Sequence, residues 1–312
     1  MTIDIVSYEN KYDDQIRVLE QDAIQGKAIQ LEIIKKDFLD RAAVFERYLP
    51  LLALDAKGVP IATCIGARTK MIVNGNQFDS GVGFEVKVSR AIRNKGVGRL
   101  LAKSTYKRFF KPEGLTKNFI TLKKSNIPVI RLVAKTISHL WLYDFVYLTI
   151  PAKFRLSNFS AGNNKKKLFS TTLFDPGELP ASYYTLLDNN LGYFHTYKMY
   201  QLRIRRISLW YKLGIEIMKR VQPIRYRSLP QIMKPFRFAT LFNHHAENIQ
   251  GINLVLEQLE NTGIDYLMVC CRKNDSIYGM LNPLSINTYG YHILSDFPVS
   301  QKDEVTIDVR CL

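Results

Sequence analysis

Hydrophobic and polar positions alternate in short runs through the first hundred residues, and these runs predict strands joined by tight turns. The turns are Asp55–Gly58 and Asn74-Gly75-Asn76, of which the second carries a hairpin signal. The pattern therefore predicts a first strand, followed later by three antiparallel strands. In order, the predicted strands are Ile3–Tyr8, Leu51–Leu54, Ile61–Ile72 and the segment that ends at Val88.

Helical spacing of apolar residues predicts two helices between the first and second strands. In Tyr12–Gln25, the residues Ile16, Leu19 and Ala23 form one stripe, and Ala28–Phe45 shows near-helical intervals. Further helices are predicted over Gly96–Lys111 and from Asn126, on either side of a strand at Phe119–Leu122.

The segment Phe84–Arg99 organises this half of the chain. Phe84, Val86 and Val88 alternate with polar residues, as in a half-buried strand, and a basic turn with two glycines then leads into a helix. Free N–H groups at a helix N-terminus suit an anion, and a glycine lets a phosphate approach the backbone. The pattern Arg93-x-x-Gly96-x-Gly98 therefore predicts a pyrophosphate site, although an ordinary strand-to-helix turn would share these features.

Two common phosphate motifs are excluded by spacing. A Walker A loop needs Gly-x-x-x-x-Gly-Lys-[Ser/Thr], which is absent, and the third glycine of a dinucleotide fingerprint is replaced by Leu101. Instead, the run from Val88 through Arg93–Gly98 resembles the acyl-CoA signature of the GCN5-related N-acetyltransferase (GNAT) superfamily. It departs from that signature at Arg90 and Asn94, where the family commonly has Pro and Gly.

The resemblance implies a mixed α/β sheet with a GNAT fold, acetyl-CoA as cofactor, and direct transfer of acetyl to an amine of a protein or small molecule. It places Asn126 beside the pantetheine arm, although this residue would also cap its helix. Val133 stands where the family often has a tyrosine acid, and Tyr143 and Tyr147 are candidate substitutes. The candidate acyl-CoA site comprises Val86, Lys87, Val88, Arg93, Asn94, Lys95, Gly96, Val97, Gly98, Arg99 and Asn126.

Shorter motifs in the second half resemble plant hookless-like N-acetyltransferases. They are Phe169–Phe174, Leu187–Leu191, Ser228–Phe236 and Val269–Pro283. This similarity implies a GNAT domain at residues 1–160 and a second, partial GNAT-like domain at residues 161–312. The polar run Ser160–Lys167 is the predicted linker.

Part of the second half repeats the order of elements around the glycine turn. Phe236–Leu241, Asn248–Glu260 and Asp265–Cys271 predict strand, helix and strand, with Gly251 as the lone glycine at the helix start. Without Arg-x-x-Gly-x-Gly, this copy is predicted to bind no cofactor. It would then have a structural role or form one wall of the substrate cleft.

Composition adds a strong positive charge to this picture. The 312 residues carry 44 Lys and Arg against 28 Asp and Glu, a net charge of +16, which favours an acidic partner, a phosphate ligand, nucleic acid or an anionic membrane. Arg203–Arg237 holds ten basic residues and one acid, Glu216, and includes an amphipathic helix with the apolar stripe Leu209, Leu213, Ile217 and Val221. We expect that helix to dock on its own domain with a solvated basic face, since no nucleic-acid motif accompanies it.

The cysteines and histidines suggest neither disulfides nor metal. Four cysteines lack a disulfide or zinc spacing, which favours buried thiols in a reducing compartment. Adjacent His244 and His245 would point to opposite faces of a strand, so no metal site is predicted. No secretory signal and no membrane span are evident, and the predicted location is the cytoplasm.

The catalytic groups are less well defined than the cofactor site. Glu85 is the acid nearest the glycine turn and the first candidate base, with Asp79 as a weaker one and Tyr143 as the candidate acid. Three hypotheses follow. The first is an acetyl-CoA-dependent N-acetyltransferase, the second is a GNAT-fold module that binds CoA or nothing and acts through interaction, and the third is a binder of nucleic acid or an anionic surface.

Overall fold

The computed structural model describes residues 2–21, 29–156, 167–187, 190–221, 228–244 and 248–312. Several predicted features lie outside these ranges. They are the end of the first helix, nearly all of the Ser160–Lys167 linker, part of the Leu187–Leu191 motif, the stretch that follows the basic helix, and His245. The domain division at residue 160 therefore stays a prediction.

Thirteen of the described strands form one sheet and three form a second, small sheet. The strands are β1 Asp4–Ser7, β2 Ile29–Ile34, β3 Tyr48–Leu54, β4 Pro60–Val73, β5 Asn76–Val88, β6 Asn118–Lys123, β7 Trp141–Pro151, β8 Phe169–Thr172, β9 Tyr184–Leu186, β10 Gly192–Phe194, β11 Gln201–Ile207, β12 Pro235–Phe236, β13 Phe238–Phe242, β14 Tyr266–Cys271, β15 Asn287–Ser295 and β16 Val305–Asp308. The helices are α1 Asp13–Gln21, α2 Val97–Thr105, α3 Ile127–Ala134, α4 Leu209–Val221, α5 Ile249–Asn261 and α6 Ser276–Leu281.

The large sheet contains two copies of one arrangement. Its strand order is β1-β3-β4-β5-β6-β15-β7-β14-β13-β10-β9, with β16 and β8 paired beside β4. The units β5-α2-β6-α3-β7 and β13-α5-β14-α6-β15 each begin with two parallel strands joined through a helix. The last strand of each unit leaves its own half, because β15 lies between β6 and β7, and β7 lies between β15 and β14.

Helices and irregular segments cover the two faces of the sheet separately. On one face, Val97 and Leu101 of α2 pack on Ala62 and Cys64, while α5 packs over the β7 and β14 region. The other face carries α1, the small sheet β12-β11-β2 and the last residues of the chain. We call these the helical face and the opposite face.

One predicted helix is wrong. In the predicted helix Ala28–Phe45, the described part begins with the strand Ile29–Ile34 and continues in turns to Phe45. Ile29, Leu31 and Ile33 alternate with Gln30 and Glu32, and β-branched residues in that period favour a strand paired with β11. The hairpin strands, α2, β6, and the second strand–helix–strand unit are confirmed with small shifts of boundary.

Candidate functional site

The parallel strands β5 and β6 separate after a short contact. They are paired through Gly81 with Asn118 and Val82 with Phe119, after which β5 continues to Val88 and β6 to Lys123. The far edge of β6 stays bonded to β15, so the strands open a gap within the sheet. We call this opening, between residues 83–88 and 120–123, the strand split. Backbone N–H groups on the facing edges of β5 and β6 can donate to a ligand that lies between the strands.

A β-bulge at Glu85 shapes one wall of the strand split. Thr63 pairs with Lys87 and Ile65 with Phe84, so two residues of β5 face Cys64 alone. Glu85 has φ +53°, and a bulged residue is left without its regular ladder partner. The predicted alternation is therefore wrong at this point: Phe84 packs on the opposite face, whereas Val86 and Val88 pack beside α2.

The glycine turn carries the chain from β5 into α2. Gly96 precedes the helix with φ +86°, which a residue without Cβ adopts at no steric cost, and the space beside it is open. The first N–H groups of α2 have no acceptor within the helix. Arg93, Lys95 and Arg99 are exposed around this end, with Nε of Arg93 donating to the Val88 carbonyl at 3.2 Å. The turn thus combines free donors with three cations.

Gly98 has a packing role that its sequence pattern did not indicate. A Cβ built there would lie 3.0 Å from Cδ2 of Leu132 in α3 and 3.6 Å from Cγ2 of Val88. The glycine therefore lets α2 approach α3 closely at the strand split. Access for a phosphate alone does not account for it.

Asn126 precedes α3 at the same end of the strand split. Its carbonyl accepts from the N–H of Ile130 at 3.1 Å, but its side chain makes no capping hydrogen bond and is exposed. The side-chain amide of Asn126 therefore does not cap the helix, which leaves it able to bind a ligand. Because β5 and β6 are parallel, the N-termini of α2 and α3 lie at one end of the sheet.

Glu85 lies in a buried ion cluster on the opposite face. Its carboxylate is 2.5 Å from Nζ of Lys87, 3.0 Å from Nζ of Lys35 and 3.7 Å from Arg41, while Glu20 pairs with both lysines. Burial alone would raise the pKa of Glu85, but the three cations outweigh it and hold the pKa well below its usual range. A carboxylate held charged so firmly is a poor proton acceptor, which argues against the predicted base role.

Tyr143 is buried in β7, which is separated from β6 by the strand β15. Its hydroxyl donates to the Leu168 carbonyl and lies 3.2 Å from the Asp303 carbonyl, and its ring lies beside Phe169. Burial is the main cause that raises the pKa of this phenol. These contacts commit the hydroxyl to backbone carbonyls within the core, which argues against the predicted acid role.

Three groups near the strand split were not identified from the sequence. Arg41 donates to the Leu312 backbone oxygen at 2.8 Å, and Thr121 of β6 donates to the Cys311 carbonyl at 2.7 Å. Lys123, two residues further along the same strand face, lies over the ring of Tyr289, and burial lowers the pKa of its ammonium group. Alternation along β6 was the available signal for Lys123, whereas the two long-range contacts had none.

Comparison with known proteins identifies the fold. No family model and no curated protein matches the sequence. Saccharomyces cerevisiae N-myristoyltransferase with bound myristoyl-CoA matches over 97% of this chain and 84% of its own, with a TM-score of 0.55 and 10% identity. The same enzyme with inhibitors matches over 96% and 81%, with a TM-score of 0.56 and 10% identity. The fold is a tandem GNAT-like fold.

The tandem GNAT-like fold accounts for the repeated units of the large sheet. A GNAT-family acetyltransferase from Staphylococcus aureus also matches, over 45% of this chain and 84% of its own, but a TM-score of 0.35 and 13% identity are too slight to support an argument. The similarity to the yeast enzyme spans both halves of the chain, which confirms that the second half has the predicted GNAT-like fold. The hookless-like similarity has no match among these proteins.

Proposed function

We propose that this protein is an N-acyltransferase that moves an acyl group from acyl-CoA directly to an amine. The observation that carries the proposal is the strand split, with a glycine-started helix and the uncommitted Asn126 amide at one end. Its fold is that of an enzyme solved with bound myristoyl-CoA. We further propose acetyl-CoA as the donor, a plant hookless-like affinity, and a cytoplasmic location.

The residues of the glycine turn suit a pyrophosphate, and those of the strand split suit the arm that follows it. We assign the phosphates to Arg93–Arg99 and the α2 N-terminus, and the pantetheine amides to Asn126 and the edge Val86–Val88. Bound acyl-CoA would supply an activated acyl group. Backbone N–H groups beside the bulge are suited to stabilise an oxyanion, because they are fixed before reaction.

Direct transfer, with donor and acceptor bound together, is supported by the state of the cysteines. All four are buried and free, and burial raises the pKa of Cys64 to about 11. A thiol is a nucleophile as its thiolate, so these side chains are poorly suited to form an acyl-enzyme. Positioning of the acceptor amine against the donor would then supply much of the rate.

The decisive experiment measures donor binding and transfer separately. Titration calorimetry with CoA, acetyl-CoA and myristoyl-CoA tests the site, and mass spectrometry of an amine and peptide panel tests transfer. Arg99→Glu should weaken CoA binding about 10- to 100-fold, because one charged contact contributes about 1.5–3 kcal/mol. Lys103→Glu, an exposed reversal one turn further along α2, is the matched control and should bind normally.

The possible results separate the hypotheses. Transfer confined to acetyl-CoA would establish the proposed donor, and transfer of the longer acyl group would replace it while keeping the activity. Binding without any transfer would favour a CoA-binding module, which the positions of Glu85 and Tyr143 keep open. Equal binding by the two variants would contradict the glycine turn as the phosphate site.

A further inference from the structure

The helix α4 presents its apolar residues to solvent. Exposed fractions are 82% for Trp210, 69% for Leu209, 63% for Ile217 and 67% for Val221, and no residue of the helix is buried. This overturns the expectation that the apolar stripe docks on its own domain. Contiguous exposed apolar residues of this size mark a surface that meets a partner or a membrane.

Helical geometry shows which side of α4 is attached. At 100° per residue, Leu209, Leu213, Ile217, Trp210 and Val221 fall within one arc of about 120°. The half-buried residues Ile215 and Met218 fall on the other side of the helix. The apolar arc therefore points away from the protein over a length of about 20 Å.

The surroundings of this arc are cationic. Arg220 projects from within the arc, between Leu209 and Leu213, and Lys212 lies about 60° outside it. Both are exposed and take part in no ion pair among the described residues, whereas Lys219 pairs with Glu216 at 2.6 Å. Arg205 and Arg206, at the end of β11 just before α4, are also exposed. An apolar face with a basic border is the arrangement of helices that lie in the interface of anionic membranes.

We propose that α4 is a membrane-surface helix that binds anionic lipid, with its apolar arc in the headgroup region and its basic residues on lipid phosphates. Charge decides for this partner, because the stretch Arg203–Arg237 has a net charge of +9, ten basic residues against one acid. A neutral apolar partner would gain nothing from this charge, whereas anionic lipid is attracted by it. Trp210, the most exposed side chain of the arc, suits the interface, where aromatic rings collect. The inference stands independently of acyl transfer.

Vesicle flotation with the full chain tests it. The protein should float with vesicles of phosphatidylcholine and 30% phosphatidylserine, and remain behind with phosphatidylcholine alone. Leu213→Glu/Ile217→Glu should abolish flotation, while Leu254→Glu, an exposed apolar residue on α5, should not. Circular dichroism should show that each variant is folded. Lys212→Gln and Arg220→Gln should each lower binding about fivefold at low salt.

Fluorescence adds a readout that reports the helix itself. In a Trp141→Phe background, Trp210 should be quenched by acrylamide in buffer and should shift to shorter wavelength on anionic vesicles. Equal flotation with both vesicle types would overturn the anionic partner. Shielding of Trp210 in buffer, or a dimer dissolved by Leu213→Glu/Ile217→Glu, would show that protein covers the arc and would overturn the membrane proposal.

Discussion

Replacing Glu85 with glutamine distinguishes a structural anchor from a catalytic base. The carboxylate has three cations around it, and the side chains of Glu85 and Lys35 are each only 2% exposed. Removal of one partner from a buried ion pair destabilises by about 3–5 kcal/mol, because the remaining charge stays buried. Glu20 still pairs with both lysines, so we expect the lower end, about 3 kcal/mol.

The effect is measurable by thermal unfolding. For a protein of this size, about 3 kcal/mol corresponds to a lowering of Tm by about 5 °C. Glu257→Gln, which removes an exposed carboxylate from α5, is the control and should change the stability by less than about 0.5 kcal/mol. Because the pKa of Glu85 is lower in the folded protein than in the unfolded chain, the charged side chain stabilises the fold at pH values above the unfolded pKa, near 4.3. This stabilisation is lost as the pH falls below that value. The Glu85→Gln difference should therefore be constant from pH 6 to 9.

Activity measurements supply the refuting result. Since Glu85 remains charged across pH 5 to 9, it should contribute no inflection to a pH profile of kcat/KM in that range. If Glu85→Gln kept the wild-type Tm but lost transfer more than about 100-fold, together with the acidic limb of the profile, the anchor interpretation would be wrong and the base role restored.

Three further predictions follow from single side chains. Gly98→Val should destabilise the protein by about 1–3 kcal/mol, because the added side chain overpacks against Leu132 of α3. Adding Leu132→Ala should relieve part of that loss in thermal melts, and additive losses from the two substitutions would contradict this contact. His195 is stacked between two tyrosine rings, and burial lowers its pKa to about 4. The unfolded state then binds more protons between pH 6.5 and 4, so urea stability should fall with acid in that window, less so in His195→Gln. Because burial lowers the pKa of Lys123, this side chain is a candidate proton acceptor; Lys123→Arg, which stays charged, should then lower kcat with KM unchanged, and full activity would exclude that role.

Local patterns predicted the elements that are defined by local physics. The hairpin at Asn74-Gly75 follows from residues that tolerate positive φ, at +51° and +82°, and the glycine turn follows from Gly96 at +86°. The helical prediction over Ala28–Phe45 failed because Ile29 and Ile33 also fit a period of two, and pairing with the distant strand β11 decided between them.

The predicted cofactor site depended on adjacent residues, whereas the predicted catalytic residues depended on the fold. The bulge adds one residue to β5 and so places Glu85 beside Lys87 of the same strand, Lys35 just after β2 and Arg41 in the following turn. Tyr143 lies in β7, and the pairing of β7 with β15 and β14 determines which face of the sheet its side chain occupies. Both partner strands come from the other end of the sequence. No spacing within the first half contains that information.

The insertion of β15 between β6 and β7 affects how the protein folds during its synthesis. When the first half leaves the ribosome, β6 and β7 have no strand between them, and about 140 residues must be made before β15 arrives. Both edges are meanwhile open templates for pairing with other chains. Such long-range closure slows folding, so we expect synthesis rate and chaperone access to govern yield. A fragment that ends before β15 should aggregate, however complete its glycine turn.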